Sequence, residues 1–133
     1  MNWQLFFDKI FEDVLSLMEE VYDYIKWQEP IDSMLMKRDS ERDCLNCETA
    51  KMSVCLIRIM AWLMARRAVM AGEMQRKCAG KYMGERPLTF LVEYASIPKF
   101  MPKQVLLLSR KVLNMYKRIN RLSKIAIAVE KVC

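Results

Sequence analysis

QVLLLSRKVLNMYKRINRLSKIAIAV, residues 104–129, is the stretch that decides the fold. Val105, Val112, Ile119 and Ala126 recur every seventh residue, and Leu108, Met115, Leu122 and Val129 fall between them at spacings of three and four. That is the apolar seam of a long amphipathic helix. Arg110, Lys111, Lys117, Arg118, Arg121 and Lys124 lie off the seam. Pro102 suits a first helical turn, so the helix is expected to start near it and to run close to the C-terminus.

The same patterning occurs twice upstream. From about Trp3 to Trp27, Phe7, Val14 and Val21 form one column, Ile10, Leu17 and Tyr24 a second, and Phe11, Met18 and Ile25 a third. Acidic residues fill the outer face. Pro30 is expected to bar continuation, and residues 28–41 read as a polar connector in which Asp39 or Ser40 caps the next helix. That helix carries the columns Leu45, Met52, Ile59; Cys55, Trp62, Val69; and Leu56, Leu63, Met70. Arg66 interrupts the first column, and Gly72 is a stop or kink. In residues 73–101, Gly80, Gly84, Pro87 and Pro98 break the pattern. Leu88–Val92 is strand-like in composition but has no strand to pair with, so it reads as loop or short helix over the bundle.

The expected fold is therefore all-α. It is an antiparallel three-helix bundle with a short irregular or helical connector between helices two and three, forming one domain over residues 1–133. Few Gly and Pro, 3 and 4 respectively, argue against a hairpin-rich β protein. The apolar stripes are wide enough to leave area for a dimer contact. No apolar run approaches the ~20 residues of a membrane span, and the N-terminus lacks the pattern of a secretory signal, so a cytoplasmic protein with mostly free thiols is expected.

Charge is unevenly spread within the net +6. Residues 1–30 carry two basic and seven acidic side chains, and residues 101–133 carry eight basic and one acidic. First and last helices of opposite sign attract each other when they pack side by side.

The chain has no histidine. Ser-His, Cys-His and His-metal chemistry is thereby removed, and no glycine spacing fits a phosphate loop, so an enzyme is disfavoured and no cofactor is expected. Cys44-x-x-Cys47 is the one pattern with a chemical reputation. A tetrahedral metal site would need Cys55 and Cys78 or a carboxylate as well, at spacings that match no second pair, so the thiols read as structural or incidental. Arg66 and Arg67 beside Trp62 could form a basic and aromatic patch for an acidic partner. The residues alone favour arginines whose stems cover apolar surface while their heads reach water, Glu73 or an acid on helix one. The basic face of the last helix reads as solvated; nucleic-acid binding would want interleaved aromatic rings there, and only Tyr116 is available.

The block Ala61-Trp62-Leu63-Met64-Ala65-Arg66-Arg67-Ala68-Val69-Met70-Ala71-Gly72-Glu73-Met74 resembles the alphaproteobacterial family of the regulator of CtrA degradation. The likeness lies in a Trp-Leu pair, then Arg-Ala-Val, then Gly-Glu and an apolar residue. Ser109 to Leu122 is similar to that family's Leu-Tyr-x-Arg-Val-x-Arg-Leu stretch, with Ile119 in the valine place. The resemblance implies a three-helix bundle, a homodimer, and a non-enzymatic adaptor that helps the ClpXP protease receive regulated substrates such as the response regulator CtrA. Expected partners are then the protease unfoldase or its accessory regulator and a response-regulator substrate. Trp62, Arg66, Arg67 and Glu73 are the expected partner surface or its support, with Tyr116, Arg118 and Arg121 as the facing group on the last helix. The alternatives are a small basic helical protein that binds nucleic acid or an anionic surface, and a zinc- or thiol-dependent redox sensor.

Overall fold

Three long helices form where the apolar columns predict them. The computed structural model describes residues 3–73 and 98–132, with side chains for 4–73 and 98–125. The first helix, α1, spans Trp3–Asp23, and a π-helical turn, Tyr24–Gln28, continues it into the short α2, Glu29–Leu35. The long helices α3 and α4 span Asp39–Met70 and Lys103–Val132. The strand-like Leu88–Val92 lies outside the described residues.

Pro30 does not end the helical path, contrary to the expectation of a polar connector. The π turn lets the Glu29 N–H donate to the Tyr24 carbonyl five residues back. Pro30 then stands in the first turn of α2, where a missing N–H leaves no bond unmade. The true break is Met36–Arg38, with Met36 and Arg38 extended. Arg38, rather than Asp39 or Ser40, is the cap position of α3, and Asp39 and Glu41 place negative charge in its first turn.

Gly72 ends α3 as expected. It adopts φ +76°, which only glycine takes without strain, and the Glu73 and Gly72 N–H groups donate to the Ala68 and Val69 carbonyls at 2.9 and 3.1 Å. Those two bonds make a Schellman cap.

Side-chain pairings across the helices fix their directions. Phe7 meets Trp62 near one end of the bundle, while Glu29 meets Thr49 near the other, so α1 and α3 are antiparallel. Glu20 pairs with Lys111 and Asp13 with Arg118, so α1 and α4 are antiparallel too. It follows that α3 and α4 run the same way. The expected antiparallel order holds for both pairs that include α1 and not for α3 with α4. The 24 residues between Glu73 and Pro98 permit this, whereas a tight turn would have forced antiparallel neighbours.

All three long helices contact one another around a single core. Ile10, Val14, Leu45, Met52, Ile59, Leu63, Val105, Val112 and Ile119 are sealed from solvent, and each such side chain contributes about 1.5–3 kcal/mol on burial. Among the described side chains, the column positions Phe11, Met18, Ile25, Val69 and Met115 are half-buried, and Met70 at the end of α3 is exposed. No described helix is long and apolar enough to cross a membrane.

Candidate functional site

The C-terminal half of α3 lies beside the N-terminal half of α1. There the sequence-selected residues separate into a buried layer and an outer one. Trp62 is only 3% exposed, and its ring centroid lies 6.2 Å from that of Phe7. Arg66, one turn on and 7% exposed, holds its guanidinium 5.7 Å from the Trp62 ring centroid. Arginine can occupy a core column because its stem is apolar and its planar head stacks on an aromatic face.

Arg67 follows 100° further round the helix and points outward. Its guanidinium sits 4.5 Å from the Phe11 ring centroid and 3.0 Å from the Asp8 carboxylate. An acid on helix one is thus its partner, as the plainer sequence reading expected. Between the two helices runs a groove of about 470 Å3, lined among others by Phe7, Phe11, Met64, Arg67, Met70 and Glu73. Met64 and Met70 are exposed. The glycine cap positions Glu73 at the end of this groove, opposite in sign to Arg67.

The group expected on the last helix does not form one surface. Arg118 turns towards α1 and contacts Asp13 at 3.2 Å. Asp13 also accepts from Lys9 at 3.2 Å, and these cations, Lys9 first, hold its carboxyl below the usual range against a smaller opposing effect of burial. Tyr116 is half-buried against the core, one heptad beyond Ser109, whose hydroxyl lies 3.5 Å from the Met52 sulfur. Tyr116 therefore belongs to the side of α4 that faces α3. Arg121 is exposed. Lys111 and Glu20 add a second acid–base pair between α1 and α4 at 3.0 Å.

Of the cysteines, Cys44, Cys47 and Cys55 are described, and Cys78 lies outside the described residues. Burial, with help from Glu48, pushes the Cys44 thiol up, and deeper burial pushes Cys55 up to about 12. A raised thiol pKa lowers the thiolate fraction, which is the reverse of what a redox sensor needs. Cys47 is exposed on the next turn of α3.

Sequence reasoning missed two features. The first is polar burial within α3 and α4: Glu48, Thr49, Ser109 and Ser123 are all buried. Thr49 shares its hydroxyl between the Glu29 carboxylate, at 3.1 Å, and the backbone of its own helix. Burial raises the Glu29 pKa, and the bond from Thr49 opposes that shift. The second is the outer face of α2, where Ile31, Met34 and Leu35 are exposed. Its signal was present, since these residues continue from Trp27 at helical spacing through a segment read as polar connector.

The family model described as "Protein of unknown function (DUF1465)" matches residues 3–132. Among solved structures the chain is similar to RcdA from Caulobacter crescentus CB15. The TM-score is 0.65 at 25% sequence identity, over 89% of this chain and 88% of that one. This agrees with the resemblance carried by the Trp62–Met74 block. No curated protein matches the chain.

Proposed function

The chain belongs to the DUF1465 family, and from that footing we propose that it is a proteolytic adaptor, a non-enzymatic protein that brings a regulated substrate to an ATP-driven protease. The observation that carries this reading is the likeness to RcdA along nearly the whole of both chains. In its fuller form the client is a CtrA-like response regulator, the protease is ClpXP, reached directly or through an accessory regulator, and the adaptor acts as a cytoplasmic homodimer. An adaptor works by raising the local concentration of client at the protease, so two weak contacts suffice when they are linked.

The groove between α1 and α3 is the proposed contact surface. Exposed Met64 and Met70 offer adaptable apolar area, Arg67 and Glu73 add charge of both signs, and Trp62 and Arg66 support the wall from beneath. Arg67 is already held by Asp8 and Phe11, so ordering it on binding costs little. Arg118 and Arg121 are proposed as secondary contacts, with Tyr116 as their support.

The nucleic-acid alternative draws on exposed Arg110, Lys117, Arg121 and Lys124. Lys111 and Arg118 face acids on α1, and Tyr116 is half-buried instead of standing among the cations as a stacking platform.

The test is reconstituted degradation of a purified CtrA-like response regulator by ClpXP with and without this chain. Degradation should be faster with the chain present, and Met64→Glu or Arg67→Glu should remove the gain while helicity stays intact. A degradation rate that ignores the chain, in the presence of its accessory regulator as well, would sink the adaptor reading. Binding to DNA that falls steeply with salt, without any effect on degradation, would favour the alternative.

A further inference from the structure

The outer face of α4 carries charge of one sign. From Met101 to Val129 the chain contains no Asp or Glu, and the next acid is Glu130. Val105, Val112 and Ile119 turn inward and are sealed from solvent. The line Leu107, Arg110, Asn114, Lys117, Arg121 and Lys124, spaced by three and four, therefore lies on the opposite side, and all six residues are exposed. Arg110 to Lys124 covers about 21 Å of helix.

Neighbouring acids do not balance these four cations. The α1 acids that face α4 are Asp13 and Glu20, and they are taken by Arg118 at 3.2 Å and Lys111 at 3.0 Å, which flank the line. On α3, Glu48 is buried and pairs with Lys51, and Asp39 pairs with Arg42. Glu41 meets Phe100 and Pro102 around one groove, which places it beside the start of α4, two turns short of Arg110. Residues 74–97 add four basic and two acidic side chains, so the linking chain does not reverse the sign. Among the described residues, Arg110, Lys117, Arg121 and Lys124 take part in no ion pair.

The composition of the face and of its neighbour selects the anion that fits. No aromatic ring stands in the line, so single-stranded nucleic acid finds nothing to stack on. Apolar side chains stand at its two ends instead: Leu107 is 52% exposed and Ile125 48%. Phosphates cannot use such contacts. Beside α4, at the usual interaxial distance of about 8–10 Å, lies α1 with exposed Glu12, Glu19, Glu20 and Asp23. That distance is about one Debye length, so a duplex, with phosphates on both strands, would be repelled by α1 as it settled on α4. A single protein segment keeps its charges over α4 alone.

We infer that the outer face of α4 is a docking site for an acidic amphipathic helix of a protein partner. Its carboxylates, at helical spacing, would meet Arg110, Lys117, Arg121 and Lys124, and apolar residues towards its ends would cover Leu107 and Ile125. The inference does not rest on the adaptor reading. It follows from the layout of charge on α4, a different side of the bundle from the groove between α1 and α3.

The test is selection from a phage-displayed library of randomised helical peptides against the full chain. The library is depleted beforehand on the Arg110→Glu, Lys117→Glu double variant. Both positions are exposed and outside any ion pair, so the variant should keep the native circular dichroism spectrum and melting temperature. The neutral pair Arg110→Gln, Lys117→Gln gives a second, milder reading of the same positions. Enriched peptides should carry an excess of Asp and Glu together with apolar residues at helical spacing. Their affinity should fall roughly tenfold or more on the charge reversal and severalfold on Leu107→Ser. It should be unchanged by Lys26→Glu with Lys37→Glu, which alters the net charge equally but away from α4. No enrichment, a neutral or basic consensus, or binding indifferent to the charge reversal or to Leu107→Ser would overturn the proposal. So would an equal loss in both charge-reversed variants, because net charge alone would then explain the binding. Duplex DNA retained through Arg110 and Lys117 while no peptide is enriched would assign the face to nucleic acid. Sedimentation showing that the charge reversal splits a dimer, again with no peptide bound, would assign it to a second copy. Either result refutes the protein segment. The assay contains no protease, so a failure of stimulated degradation leaves its outcome unaffected.

Discussion

Replacing Trp62 by alanine tests whether this tryptophan supports the proposed contact surface or forms it. In the folded chain the indole is almost wholly buried, lies against Phe7 and carries the Arg66 guanidinium on its ring. Truncation of a buried tryptophan costs about 3–5 kcal/mol through lost transfer energy and the cavity left behind. The Arg66 contact adds about 0.5–2 kcal/mol, since burial strengthens a cation over a ring. A chain of this length has a total stability of roughly 7–20 kcal/mol, so the loss is a large share of it. Urea unfolding followed by far-UV circular dichroism reads the change. Trp62→Phe should recover about half of the loss, and a double-substitution cycle with Arg66→Met isolates the stacking contribution. Trp62→Phe should also preserve any stimulation of proteolysis. A Trp62→Ala loss below about 1 kcal/mol, the range of surface substitutions, would refute the buried-support reading.

Two further perturbations probe the frame around the site. Gly72→Ala places a Cβ in open space but at φ +76°, so its cost of about 1–2 kcal/mol is purely conformational; an unchanged melting temperature would mean that the Schellman cap is not maintained in solution. Asp13, whose carboxyl is depressed by Lys9 and Arg118, contributes stability above the ordinary aspartate pKa and loses it as pH falls through the lower folded value. Asp13→Asn should therefore be less stable than the native chain at neutral pH and converge with it in acid, and a gap that stays constant across the titration would contradict the pairing.

The heptad columns made the long helices legible because burial of an apolar face imposes its period on the residues. Phe7, Ile10, Val14, Leu17, Val21 and Tyr24 are all buried, as their spacing requires. The connector was misread because Pro30 and the surrounding charges have the composition of a loop. Composition does not reveal that a π turn can deliver proline into a fresh first turn, or that Asp32 and Glu29 find hydroxyl donors on their inward side. The charged and aromatic candidates can be picked out along the sequence, yet the layer each one occupies cannot. Arg66 and Arg67 are neighbours in sequence, but the helical rotation between them puts one over Trp62 in the core and the other over Phe11 at the surface.

The sequence by itself determined an all-helical bundle, most of its core, the glycine stop of α3 and the attraction between an acidic first helix and a basic last one. These follow from local periodicity, backbone conformational preference and charge, which are properties of residues near one another in the chain. Tertiary structure decided the parallel course of α3 and α4, the pairing of Asp8 with Arg67 and of Asp13 with Arg118, and the apolar side of α2 being left in water. Each of these depends on contacts between distant segments, Glu29 with Thr49 or Asp13 with Arg118, whose formation no local pattern specifies.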